Sequence, residues 1–215
     1  MTGKIKLVHS GGNSVSVAVP TNAPSASEVE FKLPQSDGLS GQALVTDASG
    51  NLSFASVAGG KLLQVVSTTR TDTFSESLST GTLSADALTV NITPSNANNK
   101  IFLTAHVSMG LNNDNEVNWV FYKAGSLLTG AAGTAAGNRK PRTSAGDVRW
   151  TGTHNTTGGQ YLDTAGGTSQ ITYSVKLGHS ANGTKTVYLN RSHTDDNYAY
   201  DVRTQSTLTA MEVAA

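Results

Sequence analysis

Ile101-Phe102-Leu103-Thr104-Ala105-His106-Val107-Ser108-Met109 carries an apolar residue at every second position, from Ile101 through Leu103, Ala105 and Val107 to Met109. Side chains alternate across a strand but recur every 3.6 residues on a helix, so this period of two predicts a half-buried strand. Working outward, residues 62–69, 88–92, 117–122, 148–154, 171–177, 186–191 and 206–213 read as strands too. Segments rich in Gly and Asn at 112–115, 130–138 and 158–167 read as connections. Only residues 78–88 leave strand and helix both open. About eight strands at this spacing predict an antiparallel jelly-roll sandwich over residues 61–215.

Residues 1–60 read differently. Val15, Val17 and Val19 alternate until Pro20, and Val29, Phe31 and Leu33 alternate until Pro34. Ala43-Leu44-Val45-Thr46 and Leu52-Ser53-Phe54 flank Ser49-Gly50-Asn51, residues that tolerate positive φ, and predict a hairpin. Removing so few side chains from water, at about 1.5–3 kcal/mol each, does not offset roughly 1–2 kcal/mol of backbone entropy per residue. The segment is therefore expected to be an extended β element that grips a partner through Val29, Phe31, Leu33, Leu44, Leu52 and Phe54.

Charged residues are only 14% of the 215, and 15 Lys+Arg balance 15 Asp+Glu. No overall field draws in nucleic acid or an anionic membrane. Cysteine is absent, which removes disulfides and thiolate chemistry. The first residues, Met1-Thr2-Gly3-Lys4-Ile5-Lys6-Leu7, lack the apolar stretch of a signal peptide, and no apolar run is long enough to insert in a bilayer.

Val29-Glu30-Phe31-Lys32-Leu33-Pro34, Asp37-Gly38, Gly41-Gln42-Ala43-Leu44 and Asp47-Ala48-Ser49-Gly50-Asn51-Leu52-Ser53-Phe54 resemble a module of tail-fibre, head-fibre and decoration proteins of tailed phages, those of marine and cyanobacterial hosts above all. Lys4-Ile5-Lys6-Leu7-Val8-His9 and Ser14-Val15-Ser16-Val17 fit the same module. Thr186-Val187-Tyr188-Leu189-Asn190-Arg191-Ser192 and the closing Ser206–Val213 are similar to the jelly-roll heads of such proteins. The resemblance implies a homotrimer on the virion surface, made in a bacterial cytoplasm. Its N-terminal segment would hold the major capsid protein or another virion protein. A single copy of the module and no internal repeat favour a short capsid-decorating trimer. The alternative is a tail fibre that adheres to a host cell-surface receptor.

Chemistry is sparse, and no catalytic, cofactor or metal residue is expected. Nucleophile-elbow, P-loop, dinucleotide and zinc-helix patterns are missing. The five histidines, His9, His106, His154, His179 and His193, have no ligand spacing. Ser192, His193 and Asp195 are too close along an extended chain to line up as a triad. Glu76, Glu116 and Glu212 carry no motif for paired-carboxylate hydrolysis. The runs 112–116 and 195–197 read as polar turns rather than calcium loops. Arg139-Lys140-Pro141-Arg142, with Arg149 beyond, reads as a solvated basic loop. Trp119 and Phe121 read as core, whereas Tyr161, Tyr198 and Tyr200 are expected to form an exposed rim on the head.

Overall fold

The computed structural model describes residues 4–18, 22, 28–56, 61–150, 152–199 and 201–215. By its internal contacts the chain divides into two compact units, Met1–Ala58 and Gly59–Ala215.

In the first unit, β1 (Lys4–Val8) pairs with β2 (Ser14–Ala18), and β3 (Gln42–Thr46) pairs with β4 (Leu52–Ser56), each as an antiparallel hairpin. The 47–51 turn between β3 and β4 is held by Asp47. Its Oδ1 accepts from the N–H of Ser49 (2.8 Å) and Asn51 (3.1 Å), and its Oδ2 from Asn51 Nδ2 (2.6 Å). The expected alternation of Val29, Phe31 and Leu33 makes no strand. Lys32 forms one isolated bridge to Asn51. On one side Gly50 turns away at φ 86°; on the other, Leu52 of β4 donates to the Lys32 carbonyl at 2.8 Å, but Pro34 has no N–H with which to continue the ladder.

The second unit holds the remaining strands: β5 (Leu62–Arg70), β6 (Phe74–Leu78), β7 (Leu83–Ile92), β8 (Lys100–Leu111), β9 (Asn115–Lys123), β10 (Ser126–Leu127), β11 (Ser144–Val148), β12 (Asn155–Thr164), β13 (Ile171–His179), β14 (Lys185–Leu189) and β15 (Ser206–Val213). One sheet runs β5–β15–β8–β12, and the other runs β7–β13–β9–β11. This is the strand order of two interlocked Greek keys, a jelly roll. The β6–β14 pair is added beside the far end of β8, whose near end pairs with β15. The antiparallel all-β expectation holds.

The two sheets share one core. Ile101, Leu103, Ala105, Val107 and Met109 face inward from β8, as their period of two requires. Trp119 and Phe121 face them from β9, edge to face with ring centres 4.9 Å apart. Trp119 Nε1 donates across the sandwich to Thr157 Oγ1 at 2.8 Å, which supplies the partner a buried indole N–H requires.

Several boundaries depart from the sequence reading. The expected strand at 148–154 is the joint between β11, which ends at Val148, and β12, which begins at Asn155. Residues 78–88 are the end of β6, a turn and the start of β7, with no helix. The expected connection at 158–167 is mostly strand, because β12 runs through both Gly158 and Gly159. These glycines do not mark a turn. A Cβ on Gly159 would lie 2.7 Å from Trp119 Cη2 and 2.9 Å from Thr143 Cγ2, so the indole fills the space a side chain would take. Gly159→Ala is therefore expected to destabilise the protein by about 1–3 kcal/mol through overpacking. Gly158→Ala, whose Cβ would meet nothing nearer than 3.5 Å, should stay within about 0.5 kcal/mol of the parent. Urea denaturation of both variants checks this.

Candidate functional site

Two surfaces carry unsatisfied apolar chemistry. The first lies in the N-terminal unit. Every described hydrophobic side chain there is at least partly open, and none joins the buried core. Phe31 is 63% and Leu33 78% exposed; Val29 and Leu44 are also exposed, and Leu52 is half-buried. Phe54 is the best covered of the aromatics, because its ring lies against the bare backbone of Gly38. Residues outside the expected set add to the surface: Ile5, Leu7, Val17 and Leu39 are all exposed. Ile5 and Leu7 share one face of β1, and Val17 stands opposite Ile5 in the register. Two-stranded hairpins of this length are marginal in water without a covering surface.

The second surface is the outer face of the six-stranded sheet. On β5, Gln64 and Val66 turn inward, so Leu63, Val65, Ser67 and Thr69 turn out. The same alternation turns Phe102, Thr104 and His106 out of β8, Thr207, Thr209 and Met211 out of β15, and Gly158, Gln160 and Leu162 out of β12. The register then aligns them. Val65 opposes Met211, Met211 opposes Phe102, and Phe102 opposes Leu162, a continuous apolar row across four strands. At about 4.8 Å per strand the row is roughly 14 Å long. Val65 is 52% and Leu162 53% exposed. The next rows, Ser67–Thr209–Thr104–Gln160 and Thr69–Thr207–His106–Gly158, hold no Asp, Glu, Lys or Arg. On the other side of the apolar row stands Lys100, which donates to Thr164 Oγ1 at 2.8 Å. An apolar centre with a polar border has the anatomy of a protein interface.

The expected tyrosine rim is corrected in part. Tyr161 lies inside β12, half-buried against the core, with its hydroxyl over Gly130. Tyr188 is buried in β14, where its hydroxyl meets His193 Nδ1 at 2.8 Å and the Arg191 guanidinium covers its ring at 4.3 Å. Tyr198 is exposed, and Tyr200 lies outside the described residues. Sequence reasoning missed Trp150, which is 73% exposed on the β11–β12 connection. That connection approaches the loop carrying Tyr198, with Gly152 beside Thr194. The available signal was a large aromatic between Arg149 and Thr151-Gly152, outside any apolar alternation.

The remaining polar candidates hold the structure together. His193 is engaged by Tyr188, and Ser192 Oγ donates to the Thr194 carbonyl, so no hydrogen-bonded Ser–His–Asp line exists. Asp195 is clamped by Arg191 at 2.8 Å and by Arg203 Nε at 2.6 Å, which holds its carboxyl below the usual range. Glu76 accepts from the Ala85 N–H at 2.8 Å, and Glu116 from Ser180 Oγ at 2.6 Å. Among the described residues no group of three or more His, Cys, Asp or Glu is placed to hold a metal ion. Arg142, read as part of a solvated loop, is instead half-buried and hydrogen-bonded to Asn118 and Gly81.

No protein-family model matches the chain, and no curated protein matches it. Solved structures do. The infectious bursal disease virus Gx strain structure is 18% identical over 94% of this chain and 47% of its own, with a TM-score of 0.34. The infectious bursal disease virus VP2 subviral particle is 15% identical over 76% of this chain and 40% of its own, with a TM-score of 0.36. This chain spans less than half the length of either.

Proposed function

We propose that the chain is a non-enzymatic structural protein of a tailed-phage particle, a homotrimer that decorates the capsid surface. Residues 61–215 associate through their jelly-roll heads, and residues 1–60 attach the trimer to the major capsid protein or another virion protein. The observation that carries this reading is the contrast between the two units. One encloses a complete core of buried Ile, Leu, Val and aromatic residues; the other leaves Ile5, Leu7, Val17, Phe31, Leu33 and Leu44 in solvent. A segment so built is completed by what it grips. Three such segments joined through one body dissociate far more slowly than one, since each rebinds before the others release. Association of the heads also covers sheet surfaces and edges that would otherwise pair at random.

The test is a truncation that starts at Lys61. The head retains its whole core, so the shortened protein is expected to fold and to self-associate as the full chain does. Its retention on purified particles in co-sedimentation should fall by about 100-fold or more. Retention equal to that of the full chain would overturn the division of labour.

A second reading, a tail fibre that adheres to a host cell, is favoured by the exposed Trp150 and Tyr198 on neighbouring loops. Exposed aromatics on loops are apt for sugar or receptor contacts. Electron microscopy of particles separates the two readings by location, and adsorption to cells separates them by activity.

A further inference from the structure

The two sheets of the head end differently. In the sheet built on β7, β13 and β9 the edges are blunted. β7 carries Asp86 at a shift in its register with β13, and its Leu88, Val90 and Ile92 are buried all the same. On the far side of β9, β11 is five residues long and includes Asp147, and β10 is two residues long. Short, charged or irregular edges are how sheets avoid pairing with other chains.

The other sheet lacks that protection at β5 and β12. β5 runs nine residues and β12 ten, with neither proline nor lysine in either. β12 keeps its register with β8 from Asn155 to Thr164 without a bulge. The charged residues of both strands turn inward. Arg70 Nη1 donates to the Ala87 carbonyl at 2.8 Å, and Asp163 accepts from the Tyr173 hydroxyl at 2.6 Å and pairs with Lys123 at 2.7 Å. β6, the remaining edge of this sheet, is five residues long and carries Glu76.

Burial singles out the same two strands. On β8 and β15, in the middle of the sheet, the inward-facing Leu103, Val107, Leu208 and Ala210 are buried. On β5 Val66 and Thr68 also face inward yet are only half-buried, and the same holds for Thr157 and Tyr161 on β12. Water reaches them past the strand edge, where one more strand would cover them.

Polarity and closure identify that strand. β5, β15, β8 and β12 alternate in direction, so β12 runs opposite to β5. A second copy placed beside the first therefore brings its β5 antiparallel to β12, and the sheet continues. Pairing like with like would need two different contacts, β5 to β5 and β12 to β12, which alternate into an open chain. Pairing β12 with β5 repeats one contact, and such a contact can close into a ring. It also prolongs the apolar row, which ends at Leu162 on β12 and at Val65 on β5. With Leu162 opposite Val65 of the next copy, residues 157–164 meet residues 63–70 and no like charges face each other.

We propose that the heads join edge to edge, β12 of one copy pairing antiparallel with β5 of the next. The proposal rests on the homotrimer reading and names the strands that make it. Three such contacts close the ring and leave neither edge open.

The chain has no cysteine, which makes the test clean. The full chain carrying both Ser67→Cys and Gln160→Cys is oxidised, or treated with a short bismaleimide that tolerates a slip of two residues, and run on a denaturing gel. Within one copy these positions lie three strands apart, roughly 14 Å, too far for a disulfide. The double variant should give covalent dimers and trimers, whereas Ser67→Cys alone and Gln160→Cys alone should stay monomeric on the gel. Both side chains face out of the sheet, so the thermal midpoint should hold to within about 2 °C. In the unmodified chain, alternate amides of 63–69 and 157–163 should exchange about tenfold or more slowly in the oligomer than in dilute monomer, since every second N–H of an edge strand points outward. Cross-linking by either single variant would mean pairing of like edges and overturn the proposal. An oligomeric parent whose double variant does not cross-link would overturn it too, while leaving the homotrimer reading in place. A parent that is monomeric at every concentration would overturn both.

Discussion

Glu212→Ala is expected to lower the stability of the head by about 3–5 kcal/mol, the largest effect of any single substitution considered. Glu212 sits on the inward face of β15, in register with Leu208 and Ala210, and it is 1% exposed. Among the described residues no cation pairs with it. Four donors do that work instead. Oε1 accepts from the Ser95 N–H (2.7 Å), Ser95 Oγ (2.8 Å) and Asn99 Nδ2 (2.6 Å), and Oε2 accepts from Gln64 Nε2 (2.5 Å). Gln64 belongs to β5, Ser95 and Asn99 to the β7–β8 connection, and Asn99 Oδ1 in turn accepts from the N–H of Ala215. One carboxylate on β15 therefore ties β5 to the β7–β8 connection and, through Asn99, to Ala215. Alanine would leave several of those donors buried without an acceptor, and each costs about 1–3 kcal/mol.

The same site sets an acid limit. Burial pushes the Glu212 carboxyl up, but the hydrogen bonds from Asn99, Gln64 and Ser95 outweigh it and bring the pKa from 4.5 to about 2. A group whose pKa is depressed by folding contributes stability above its unfolded value and loses it as pH falls through the folded one. The contribution is whole above pH 4.5 and fades towards pH 2. Its size is on the order of 3 kcal/mol. Glu212→Gln keeps one acceptor but cannot titrate, so its stability at neutral pH should fall while its acid slope between these limits flattens. Denaturant midpoints across that pH range would show it. A parent and variant with parallel acid slopes would assign the acid limit to other carboxylates.

In the sequence Glu212 carries no motif that sets it apart. Ser206–Val213 was read as a strand with the bounds the structure gives, and its alternation puts Leu208, Ala210 and Glu212 on one face. A carboxylate at a core-facing position demands donors, and that demand was visible. The identity of the donors was not, because Gln64, Ser95 and Asn99 lie more than a hundred residues away in the chain. The strands over 101–109, 117–122 and 171–177 were legible for one reason: each has one face in the core and keeps a period of two. β12 was not, because glycine signals turns in a sequence, and only the position of Trp119 shows why Gly159 stands in a strand. Arg142 follows the same logic: its partners Asn118 and Gly81 come from distant segments, and the basic run at 139–142 looks the same in sequence whether solvated or folded inward. Composition and alternation report what a strand buries, while register decides what it meets.

Register is also what makes the apolar row a prediction. Val65, Phe102, Leu162 and Met211 are single outward-facing apolar residues on four strands, unremarkable one by one. Side by side they form an apolar row flanked on one side by uncharged Ser, Thr and His rows and on the other by Lys100, the one formal charge next to it. Copies of one chain can bring such rows together without opposing like charges, whereas a charged partner gains nothing from them. Residues at the centre of an interface carry most of its energy, so a lysine placed there should act strongly. Val65→Lys with Leu162→Lys is expected to weaken self-association by about 100-fold or more, giving monomers by sedimentation velocity at micromolar concentration. Both side chains are half-exposed, so the fold should keep its thermal midpoint to within about 2 °C. Ser67→Lys with Gln160→Lys, one row away, should weaken association by about tenfold or less, because a border residue stays hydrated. If Val65→Lys with Leu162→Lys sediments as the parent does, the heads meet through another face. If the parent itself is monomeric, the row covers nothing of its own kind. The gradient from row to row is the sharper readout, since a general loss of solubility would not follow the register of the sheet.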